Sequence, residues 1–181
     1  MPAVTPPTTP GPIAAFQQVC LETRGEMPAA RTAARATGFL PLKDTAKAPD
    51  YLPDLLPSGV AWRPKDLLEG PGAFLVLGQG DQRRPFPASV HGCGVQFKRG
   101  SYEPNADREE RDIFVRWGKP AQRGVDNLTF VFVGEPRTGG AVTFKRALAT
   151  QKRTGVDISY VSASQGDWDL TYLRTTRLKG H

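Results

Sequence analysis

The sequence predicts an α+β domain in which an N-terminal αα-hairpin packs on an antiparallel sheet of five or six strands. Three observations carry this expectation. The two clearest helical patterns come first, before Phe39, period-two alternation and β-branched runs begin at Ala73, and no repeat of about 20 to 50 residues recurs. At 181 residues the chain is of one-domain length and can bury a sizeable core, although Gly 19 and Pro 17 announce long connections.

Residues 1–11 are rich in Pro and Thr and read as a disordered or polyproline-like leader, with 12–181 as a single α+β domain. The first helix is expected from Pro12, suited to a first helical position, to Arg24, with Gly25 ending it. Ile13, Phe16 and Cys20 share its apolar stripe. The second runs from about Pro28 to Gly38, and Ala30, Ala33 and Ala34 allow a neighbour to approach closely. From 39 to 72 six prolines forbid long regular elements, and the segment is read as wrapping the domain, with a short strand at Val60–Arg63 and one helical turn at Pro64–Glu69.

From 73 to 181 the pattern is mainly β. Strands are expected at Ala73–Leu77, Ala88–Lys98, Leu128–Val133 and Ala141–Ala147, and a hairpin at Val156–Ser162 and Asp167–Thr176. Gly78-Gln79-Gly80 reads as a turn, since it lacks the third glycine of a dinucleotide loop and no helix follows. Asn105–Trp117 carries both signals, and the expectation is a helix through Arg111 followed by a strand in which Ile113, Val115 and Trp117 alternate.

Cys20 lies on the inward stripe of the first helix and Cys93 on the inward side of a strand, with His91, Val95 and Phe97. A helix laid across the sheet would bring the two thiols together, and a bridge closing so long a loop would stabilise the fold by roughly 4 kcal/mol. The alternative is two unconnected buried cysteines serving as small apolar residues.

His91-Gly92-Cys93-Gly94 is the only stretch where a base and a nucleophile lie close in sequence. Residues two apart on a strand stand roughly 6 to 7 Å apart, too far for a thiolate–imidazolium hydrogen bond. Two cysteines and two histidines spread over the chain lack the paired spacing of structural zinc. The reading therefore assigns no catalytic residue, no metal and no cofactor, and no run approaches the roughly 18 apolar residues of a membrane span. Asp107, Glu109, Glu110 and Asp112, interleaved with Arg108 and Arg111, read as a solvated helical face.

The net charge of +6 belongs entirely to residues 71–181, which hold 17 Lys/Arg against 11 Asp/Glu. The candidate polyanion-binding residues are Lys98, Arg99, Lys145, Arg146, Lys152 and Arg153, expected on strands and their loops. Phe144, Trp117 and Tyr172 could stack on unpaired bases if exposed, but alternation turns them toward the core.

Phe16-Gln-Gln-Val-Cys20-Leu-Glu-Thr-Arg-Gly25, followed by the alanine-rich Ala29–Gly38 and Phe39, resembles the mature start of small uncharacterised exported envelope proteins of proteobacteria, which bear one helix Cys and one strand Cys. The resemblance implies an envelope location and a Cys20 to Cys93 bridge, and brings no activity. Met1–Pro12 has neither the basic nor the apolar region of a secretion signal, so either the protein is cytoplasmic or a leader has been removed. The expected function is a non-enzymatic binding or accessory domain of the periplasm, with an envelope protein as partner. The alternatives are a cytoplasmic or phage-type basic domain that binds nucleic acid or another polyanion, and a thiol enzyme using Cys93.

Overall fold

Pro12 opens the first helix of the computed structural model, which describes residues 12–41, 60–64, 73–82, 88–97, 106–125, 127–164 and 168–177. Helix α1 (Pro12–Ala15) widens into a π-helix over Phe16–Leu21, with Glu22 N–H donating to Gln17 O and Gly25 N–H to Cys20 O, five residues back. The predicted helix to Arg24 thus stops at Leu21. Arg24 (φ 57°) and Gly25 (φ 65°) are both left-handed and reverse the chain, which no helix can continue through. Helix α2 (Met27–Ala36) has Pro28 in its first turn and buries Ala30 and Ala34, as their spacing predicts.

Among the described residues one antiparallel sheet holds nine strands: β1 (Phe39–Pro41), β2 (Val60–Pro64), β3 (Ala73–Gln82), β4 (Ala88–Phe97), β5 (Gln122–Arg123), β6 (Asn127–Val133), β7 (Ala141–Val142), β8 (Ile158–Ser164) and β9 (Trp168–Arg177). Their order is β1-β2-β3-β4-β9-β8-β6-β5, with β7 also paired to β6. The α+β class and the antiparallel sheet are as expected. The sheet exceeds five or six strands through three short segments at its margins.

Register places side chains in rows across the sheet. Leu77, Cys93, Tyr172, Val161 and Phe130 form one row, and Leu75, Val95, Leu170, Ala163 and Leu128 the next. These rows face Ile13, Phe16, Val19, Cys20, Ala30 and Ala34, so this side of the sheet and the N-terminal helices share the main core. Helix α3 (Ala106–Trp117) joins the same layer. Its Trp117 ring meets Phe130 at 5.4 Å and Phe132 at 5.6 Å.

Three sequence expectations are corrected. Strand β3 continues through Gly78-Gln79-Gly80 to Gln82, because Gly78 pairs Gly92 and Gly80 pairs Val90 in an unbroken ladder. Helix α3 runs to Trp117, so no strand covers 113–117: Ile113, Phe114 and Trp117 sit at helical spacing on the core, while Val115, the middle of the supposed alternation, is 80% exposed. Ala141–Ala147 is a strand only at β7, and Phe144–Thr154 forms helix α4.

Helix α4 obeys plain rules once seen. Thr143 caps it through a hydrogen bond from Arg146 N–H, and Phe144, Ala147, Leu148 and Gln151 recur at helical spacing against Val131, Ile158 and Tyr160. It lies on the face of the sheet opposite the other helices, a side the expected architecture left without one. Gln151, fully buried, donates to Thr175 O at 2.9 Å. Gly155 ends the helix at φ 74°, with open space where a Cβ would stand. Gly155→Ala is therefore expected to cost about 1 kcal/mol through backbone strain alone, read as a lower urea midpoint with an unchanged slope.

Candidate functional site

Cys20 and Cys93 form the disulfide, with Cα atoms 5.3 Å apart and both residues fully buried. The π-helix carries Cys20 over the row of Leu77, Cys93 and Tyr172. Packing beside it continues through Gly25, whose Cα lies against the Tyr172 ring and the His91 side chain: a Cβ there would stand 3.5 Å from Tyr172 Cδ1 and 3.6 Å from His91 Cβ.

Immediately beyond the bridge, the next row of the same sheet face turns polar before it reaches Phe132. His91, Arg174 and Ser159 are direct neighbours in register. Arg174 has a side chain only 8% exposed, donates through Nη2 to Glu26 Oε1, and holds Asp157 Oδ2 3.9 Å from its Nε. Glu26 Oε2 also lies 4.0 Å from His91 Nδ1, and His91 Nε2 is 3.5 Å from Ser89 Oγ. The Arg174 hydrogen bond holds the Glu26 carboxyl below its ordinary 4.5, with the charges of Arg174, His91 and Arg24 acting the same way against partial burial.

A second set of bonds abuts the first. Tyr172 Oη donates to Glu135 Oε2 at 3.1 Å and lies 3.2 Å from Ser159 Oγ, which in turn donates to Gly134 O at 2.7 Å. Arg24 Nε sits 3.5 Å from Glu135 Oε1. Burial, with the Glu135 carboxylate adding to it, pushes the Tyr172 phenol above its ordinary 10.0, so it stays a neutral donor. The arrangement is a polar latch: the 22–26 turn is fastened to the sheet by a covalent bond on one side and by charged hydrogen bonds on the other.

The sequence places His91 on the inward side of its strand but does not assemble this latch. The available signal was a set of polar residues, His91, Ser159 and Arg174, standing in the inward phase of strands β4, β8 and β9. Among the described residues no group of three His, Cys, Asp or Glu side chains could hold a metal ion. No described helix is long and apolar enough to cross a membrane.

Of the basic candidates, Lys145, Arg146, Lys152 and Arg153 come together on the outer face of α4, all exposed, instead of on strands and their loops. The cause is the helix itself, whose inward residues fix those four on the opposite side. Lys98 and Arg99 lie outside the described residues, as do the leader 1–11, the segments 42–59 and 65–72, and so the helical turn expected at Pro64–Glu69 beyond its first residue. Tyr172 is fully buried on strand β9, as alternation predicts, whereas Trp117, 7% exposed, and Phe144, half-buried and stacked on Tyr160 at 6.1 Å, are turned inward by helical spacing instead. Comparison with protein-family models, with curated proteins and with solved structures finds no match.

Proposed function

We propose that the chain is a non-enzymatic binding or accessory domain of the bacterial envelope, acting through its surface on an envelope partner. The observation that carries this reading is the Cys20–Cys93 disulfide, which joins the N-terminal helical segment to the middle of the sheet. Structural disulfides persist in oxidising compartments and are rare where thiols are kept reduced. We read residues 12–36 as a helical hairpin that serves as a lid on the sheet, with the bridge and the Glu26–Arg174 pair as its two fastenings. Cys93 held in the bridge presents no thiolate, so a thiol enzyme would need reduction before any turnover.

Protein isolated from its native compartment under alkylating quench should be two hydrogen atoms lighter than the reduced chain, and gain them on reduction in denaturant. Two alkylated thiols in the native sample would remove the envelope reading. A second reading, a cytoplasmic or phage-type domain binding nucleic acid or another polyanion, is favoured by the four cations gathered on α4.

A further inference from the structure

Helix α4 presents a face that its own stability does not explain. Lys145 and Arg146 occupy its first turn, where the macrodipole is positive and cations are unfavourable, and no acidic residue stands there to offset them. Lys152 and Arg153, one i to i+7 step further, continue the same exposed face about 10 Å along the axis. Exposed Ala149 lies between the two pairs, so nothing bulky holds a flat partner away. None of the four side chains has an ion pair or hydrogen bond among the described residues, and residues 136–156 contain no Asp or Glu. Arg177 adds a further cation at the C-terminal end, donating to Lys152 O at 2.7 Å.

We infer that this face is the docking surface of the domain, and that its occupant is an anionic phospholipid headgroup surface. Charge complementarity selects a polyanion, and two observations favour a lipid surface over a nucleic acid. Among the described residues the patch has no free aromatic for bases to stack on, since Phe144 is taken up by Tyr160. The apolar side of α4 is committed to Val131 and Ile158, so the helix can lie on a charged plane but cannot insert. The choice of lipid also rests on the envelope reading above, because an envelope domain works beside membranes. Each cation at such a surface contributes about a fivefold increase in partitioning, and the attraction fades as salt shortens the screening length.

The test is co-sedimentation of the full oxidised chain with vesicles of equal parts phosphatidylglycerol and phosphatidylcholine, against vesicles of phosphatidylcholine alone, at low and high salt. Binding is expected only to the anionic vesicles. Lys145→Ala with Arg146→Ala, or Lys152→Ala with Arg153→Ala, should each lower partitioning about 25-fold. Arg31→Ala with Arg108→Ala removes the same charge from the other helical layer and should leave it nearly unchanged. An equal loss in that control, no binding to anionic vesicles, or tighter binding of a single-stranded DNA oligonucleotide than of vesicles would overturn the assignment. Vesicle failure by a protein whose cysteines are oxidised in its native compartment overturns this docking surface alone; free thiols there overturn the envelope reading whatever the vesicles show.

Discussion

Replacing Cys20 and Cys93 together by alanine is expected to lower the unfolding free energy by about 4 kcal/mol, the largest effect of any change considered for this fold. The bridge spans 73 residues, so removing it restores a large loop entropy to the unfolded chain. Both positions are fully buried and alanine fits either, so little of the loss should come from a clash. Against an ordinary margin of about 5 to 15 kcal/mol, the variant should melt roughly 8 to 16 °C below the oxidised protein. Urea titration of both proteins measures it, and a difference under about 1 kcal/mol would show that the bridge joins segments already held together in the unfolded ensemble. Because both cysteines are shielded from solvent, reductant without denaturant should act slowly, at the rate of opening.

The second large effect is asymmetric. Glu26→Ala is expected to cost about 2 to 3 kcal/mol, since it takes the hydrogen-bonded carboxylate from the guanidinium of Arg174, whose side chain is 8% exposed, and leaves it the more distant Asp157 at 3.9 Å. Arg174→Met should cost less than half of that. The carboxylate it releases is 46% exposed and can be solvated, and the methionine stem can fill the vacated space. The pair also predicts a pH dependence. Because Arg174 keeps Glu26 ionised to a lower pH in the folded protein than in the unfolded chain, its contribution is complete above the ordinary 4.5 and is lost as the pH falls below that value. Urea midpoints measured down through this range should fall more steeply for the native protein than for Glu26→Ala. Parallel acid limbs would assign the acid sensitivity to other carboxylates.

Where the sequence was legible, a local period decided the matter. Alternation through His91, Cys93 and Val95, and the stripe of Ile13, Phe16 and Cys20, correctly turned both cysteines inward, and Gly38 with the alanines before it bounded α2. At two of the corrected places short apolar runs satisfy both periods. Ile113, Val115 and Trp117 alternate as a strand would, yet Phe114 completes a helical stripe with Ile113 and Trp117, and packing on Phe130 and Phe132 chose the helix. Ala141–Ala147 also fits the strand expected there, although Thr143 and Gly155 bracket a helix at the right distance. A strand and loop there would scatter the basic residues that α4 gathers on one face.

The amino-acid sequence by itself determined the α+β class, the strand-rich second part, the inward orientation of the two thiols and the excess of positive charge. Which distant groups meet was decided only by the tertiary structure. Side-chain phase is a property of a few neighbouring residues and can be read locally. The contacts of Glu26 with Arg174, 148 residues apart, and of Tyr172 with Glu135 depend on strand register and on how the π-helix crosses the sheet, which the summed packing of the whole core sets.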